Sequence, residues 1–78
     1  HSTNVEREIE GRELTAAINA FLGTLSAFDR NVFVCRYWYL DPVRDIAKAT
    51  HASESRIKSI LFRLRKKLRV YLEEEGLL

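Results

Sequence analysis

Residues Asp41 to Arg69, DPVRDIAKATHASESRIKSILFRLRKKLR, decide how this chain folds. Asp41 can cap a helix with Pro42 at its first position, where the N–H that proline lacks would have no partner anyway. That predicts a helix from about Pro42 to Ala49, with Ile46 and Ala47 in its middle. Thr50, His51 and Ala52 interrupt the pattern. Ser53 is a favourable N-cap for a further helix from Glu54 to about Leu72. Along it, Ile57, Ile60, Leu61, Leu64 and Leu68 recur at spacings of three and four and form one apolar stripe.

Two helices that meet at a sharp angle need a small residue where they cross, and Ala47 supplies it. Ile46, Ala52, Ile57 and Ile60 supply apolar contact on both sides of the turn. Such a turn usually holds Gly, because its backbone goes left-handed. His51 stands there instead. His is among the few non-Gly residues enriched in that conformation, so a mild strain is expected. The unit reads as a helix-turn-helix.

A wheel at about 100° per residue sorts the long helix. With Ile57 at zero, Leu61, Leu64 and Leu68 fall within about 40° of it. Ser55, Lys58, Ser59, Phe62, Arg63, Lys66 and Arg69 lie on the far side, and Arg56 and Lys67 on the flank. Phe62 stands about 140° from the stripe, where a plain solvated face would carry Lys, Glu or Gln. A ring among cations and hydroxyls suits contact with base edges, since a thymine methyl is an apolar target. The competing reading is a surface aromatic packed on a neighbouring helix.

The net charge of +2 hides an uneven distribution. Residues 30–69 carry +8, the first twenty-nine −3 and the last nine −3. A basic middle between acidic ends is the footprint of a nucleic-acid binder. A membrane-surface helix would also be basic, but here the Leu/Ile stripe is needed as core. No run of about 18 apolar residues spans a membrane, and no signal peptide is visible. The single cysteine, Cys35, cannot form an internal disulfide, which fits a reducing cytoplasmic setting. It reads as a buried apolar filler. With His1 and His51 it makes no metal-ligand spacing. No nucleophile, base and oxyanion donor come together, so no enzyme, catalytic residue or cofactor is expected.

Seventy-eight residues make one small domain whose core is marginal in size, which favours long helices rich in Leu and Ile. Residues 1–11 read as a polar linker or a frayed extension of the first helix, and 12–78 as the domain. From Arg12, the residues Leu14, Ala17, Ile18, Phe21, Leu22 and Leu25 make one helical face, with Gly23 near its stop. Ser26 with Asp29 three residues on resembles a capping box. A helix over Arg30 to Leu40 follows, with Phe28, Val32, Phe33, Cys35 and Tyr37 as its apolar surface. Val32, Phe33, Val34, Trp38 and Tyr39 also suit a strand, but the cap and the Asp-Pro pair favour helix. Trp38 and Tyr39 are expected to close the core. Glu73 to Glu75 oppose the helix dipole, so that end is expected to fray, and they would repel phosphate. The fold class expected is all-α, a compact four-helix domain containing a helix-turn-helix.

The run from Leu25 to Arg69 resembles region 4 of bacterial sigma-70 family sigma factors, especially the smaller extracytoplasmic-function type. The resemblance lies in Leu25, Arg30, Phe33, Arg36-Tyr37, Asp45-Ile46-Ala47, Ser53, Ile57-Lys58-Ser59, Leu61, Arg63, Arg65 and Leu68. It covers roughly residues 12 to 72. Ser26 replaces the usual Pro, Pro42 the usual Ser, and His51 the usual Gly. The resemblance implies a promoter-recognition module that reads the −35 element in the major groove. It also implies docking on the β-subunit flap of RNA polymerase core, an anti-sigma factor as a further partner, and a region 2 that this chain lacks, as an excised fragment would. The family's DNA contacts fall on Lys58, Ser59, Phe62 and Arg63, with Glu54, Ser55 and Arg56 at the helix start. Arg44, Arg56 and Lys66 suit phosphates, and Lys58, Arg63, Ser55, Ser59 and Glu54 suit base edges. With Ser53 and Phe62 these form the expected DNA-binding set. Two other readings fit the same helices: a stand-alone helix-turn-helix regulator, which should dimerise on a palindrome, and an interaction domain with a docking last helix.

Overall fold

The computed structural model describes residues 2–78, with side chains from Gly11 onward. Four helices follow in order: α1 (Ser2–Gly23), α2 (Ala27–Tyr37), α3 (Val43–Thr50) and α4 (Glu54–Glu74). There is no strand among the described residues, so the β-prone residues of 32–39 are helical or lie in the loop after α2. α4 packs against each of the other three helices, and α2 also meets α3.

The core is built where the apolar stripes converge. Ile57 and Leu64 of α4 and Val32 of α2 are fully buried. Phe33, Ile46, Ala47, Ile60 and Leu61 join them in one cluster, and Leu68 packs on it in part. Ala47 is 5% exposed, as a small residue at a helix crossing should be. A second layer is aromatic. Phe21 of α1 meets Phe33 edge-on at 6.2 Å and Tyr71 at 5.7 Å, which joins α1 to both α2 and α4. Leu14, expected on the inner face of α1, is 40% exposed.

The turn between α3 and α4 forms as expected. His51 has φ 56° and ψ 36°, the left-handed region. Its N–H donates to the Lys48 carbonyl at 3.3 Å, and the Ala52 N–H donates to the Ala47 carbonyl at 3.0 Å. These paired bonds satisfy carbonyls that the end of α3 would otherwise leave free. Ser53 then caps α4, its hydroxyl oxygen accepting from the Arg56 N–H at 3.1 Å.

Four expectations need correction. Helix α2 starts at Ala27, three residues before Arg30, because Ser26 caps it directly and accepts from the Asp29 N–H at 3.1 Å. It ends at Tyr37 instead of Leu40, where Leu40 turns to φ 58°. Asp41 does not cap α3. Its N–H donates to the Cys35 carbonyl and its own carbonyl accepts from Arg36, so it is tied back to α2. Pro42, extended at ψ 147°, is the N-cap residue and offers no side-chain bond. Trp38 and Tyr39 do not close the core: they are 78% and 67% exposed, because the chain has already left the helix. Finally, α4 runs on to Glu74, two residues past Leu72. Gly76 at φ 74° lets its own N–H reach the Glu73 carbonyl and the Leu77 N–H reach the Leu72 carbonyl, which closes the helix against its unfavourable acids.

Candidate nucleic-acid interface

All ten residues of the expected DNA-binding set are exposed. α4 carries eight of them, Ser53 caps it, and Arg44 lies in the first turn of α3. The core stripe fixes the rotation of α4, so the opposite face is presented outward without further support. Ser55, Ser59, Phe62 and Lys66 follow one another along that outward line, at spacings of three and four.

Phe62 is 54% exposed and is not packed into a neighbouring helix. The Lys66 ammonium sits 4.8 Å from its ring centroid. A cation over the ring face is attracted to it, by about 0.5–1 kcal/mol at an exposed site. Neither Lys58 nor Lys66 is paired with a carboxylate among the described residues. Arg44 lies 3.8 Å from the neighbouring Asp45, with both side chains well exposed, a contact too loose and too hydrated to hold it. Glu54 and Ser55 occupy the first turn of α4, where Glu54 also complements the helix dipole.

The two arginines are arranged otherwise. Arg63 donates from Nη2 to Asp29 Oδ2 at 2.9 Å, and Arg56 lies 5.3 Å from the centroid of Phe28. Both partners belong to the first turn of α2. Contrary to expectation, Arg63 lies not on the far side of the wheel but on a flank: it is seven residues from Arg56, and both fall on one side, about 100–120° from Ile57. What the wheel does not reveal is that the first turn of α2 meets that flank. Phe28 and Asp29 thus contact two residues of the expected set, which no spacing within α4 indicates. Asp29 was expected to complete a capping box, yet its carboxylate goes to Arg63. On the opposite flank, Arg65 donates to the Tyr37 hydroxyl at 2.7 Å.

Behind this face, on the core side of α4, an apolar groove of about 530 Å³ is lined by Ile18, Leu22, Phe33, Tyr37, Trp38 and Leu68, among others. Trp38, Tyr39 and Leu40 stand exposed beside it. Cys35 is half-buried; burial and the nearby Asp41 carboxylate push its thiol up from the ordinary value. No helix among the described residues is long and apolar enough to cross a membrane.

An exposed basic face on the second helix of a helix-turn-helix defines a DNA-binding domain of that class. The family model of Sigma-70, region 4 matches residues 21–70, from the end of α1 through most of α4. The chain belongs to that family: it is a DNA-binding region 4 of the sigma-factor type, with DNA and RNA polymerase as its general partners. No curated protein and no solved structure matches the chain.

Proposed function

We propose that this domain recognises the −35 element of promoters for a sigma factor of the extracytoplasmic-function type, with α4 lying in the major groove. The observation that carries this reading is the outward line of Ser55, Ser59, Phe62 and Lys66, set in a chain segment of net charge +8. In this reading Arg44, Arg56 and Lys66 meet phosphates and set the register. Lys58, Ser59 and Arg63 meet base edges, where Lys and Arg favour guanine. Glu54 can accept from cytosine N4, Ser53 and Ser55 reach the backbone or bases at the helix start, and Phe62 lies against a thymine methyl.

A single module of this size covers little DNA, on the order of 600–1,000 Å². Alone it binds weakly and with strong salt dependence. Tethering to polymerase raises its effective concentration at the promoter. The apolar groove on the opposite side of α4 suits the polymerase β-subunit flap, because both faces can then be engaged together. An anti-sigma factor would act by covering either face.

Transcription by core polymerase supplied with a full-length sigma factor that carries this domain as its region 4, on promoters with a randomised −35 region, tests the reading. The wild type should select a defined sequence, and Arg63→Ala should relax the selection at one position. A dimer that selects a palindrome without polymerase would show a stand-alone regulator instead.

A further inference from the structure

Arg63 is half-exposed, while the Asp29 side chain that holds it is only 17% exposed. The backbone that carries the carboxylate is fixed twice over. It sits in the first turn of α2, where its own N–H is bound by Ser26, and α2 is anchored in the core through Val32 and Phe33. The guanidinium is thus moored to a rigid element thirty-four residues away in the chain. An arginine carries five N–H donors in a planar fork. The contact to Asp29 uses one Nη2 donor, which leaves the remainder of the fork for a duplex.

An untethered arginine beside DNA finds the nearest phosphate, since phosphates are charged and always present. A tethered one, with part of its charge offset, has less to gain from a phosphate and stays where it was placed. We propose that Asp29 is a positioning residue for sequence recognition: it holds Arg63 in one presentation, toward base edges and away from the backbone. Asp29 thereby lowers affinity for DNA in general and raises discrimination among sequences. The inference rests on the −35 reading of α4 given above.

The test measures binding of the 78-residue chain to its selected duplex and to a scrambled duplex across a salt series, by fluorescence anisotropy. Wild type, Asp29→Asn, Asp29→Glu, Arg63→Ala and the Asp29→Asn/Arg63→Ala double variant are compared. Asp29→Asn should bind the scrambled duplex more tightly, and its specificity ratio should fall about five- to tenfold, the size of one lost base contact. Its dependence of log K on log salt should steepen by about 0.9, one added phosphate contact. Asp29→Glu should keep the ratio. In the Arg63→Ala background, Asp29→Asn should change neither ratio nor slope by these amounts. A general loss of packing would weaken both duplexes together and would not steepen the slope.

A wild type with a sequence preference that Asp29→Asn leaves intact overturns the inference alone. The same holds if Asp29→Asn acts equally with Arg63 absent. A wild type with no sequence preference at all, alone or with polymerase, overturns the −35 reading and the inference with it.

Discussion

The Tyr37 hydroxyl accepts a hydrogen bond from Arg65 Nη1 at 2.7 Å, joining the last turn of α2 to the middle of α4. The Tyr37 ring also lies 4.8 Å from that of Phe33, so the tyrosine is held by both its ring and its oxygen. Tyr37→Phe keeps the ring and removes the bond. It should lower stability by about 0.5–1.5 kcal/mol, toward the low end because the pair is exposed. Urea unfolding followed by circular dichroism reads this. An unchanged midpoint would mean that Arg65 is solvated in solution.

His51 occupies the left-handed region at φ 56°. His51→Val should cost about 1–2 kcal/mol, since a β-branched side chain crowds the carbonyl in that conformation. His51→Gly relieves the crowding but adds freedom to the unfolded chain, so it should fall within about 1 kcal/mol of the wild type. Thermal melts of the three proteins should rank Gly and His together, with Val below. Equal melts for His and Val would remove the strain from this turn.

Lys66 stands beside Phe62 on the outward face, with no carboxylate partner among the described residues. Lys66→Ala should weaken binding to every duplex by a similar factor and reduce the salt slope by about 0.9. Stability should change little, since an exposed cation–ring contact is worth about 0.5–1 kcal/mol. Anisotropy titrations at several salt concentrations measure the slope, and a sequence-dependent loss would move Lys66 from phosphate to base.

Burial and the Asp41 carboxylate hold the Cys35 thiol above its ordinary value. The thiolate is the reactive form, so alkylation of Cys35 at neutral pH should be slower than that of free cysteine. The rate should climb only at more alkaline pH than for the free amino acid. By linkage the same shift favours the folded state below the unfolded thiol's value, and that contribution is lost as pH rises through the folded one. Timed iodoacetamide labelling across a pH series gives the curve; a rate equal to that of free cysteine at pH 7 would contradict it.

Much of this architecture is legible in the residues because it is periodic. The stripe from Ile57 to Leu68, the small Ala47, the Ser53 cap and the left-handed His51 each rest on local geometry that a wheel or a cap rule expresses. The misses are of another kind. Trp38 and Tyr39 read as core because aromatic residues usually are, but Leu40 turns the chain out and leaves them on the surface. The end of α4 reads as Leu72 because the dipole opposes Glu73 to Glu75, but the helix runs to Glu74 and Gly76 supplies a backbone closure. The Asp29–Arg63 contact is not legible because the two residues lie on different helices, and no spacing within one helix reports which neighbour packs on its flank. Only the relative placement of α2 and α4 brings Asp29 to Arg63.

Because α1, α2 and α3 all lean on α4, the helix offered to the double helix is also the beam on which the whole assembly hangs. A local shift of α4 would disturb its packing against the other three helices. Accommodation then falls to the tips of a few long side chains and to the DNA itself, which can narrow or bend at deformable steps. On the −35 reading proposed above, such a helix would discriminate in part by how willingly each promoter changes shape to meet it.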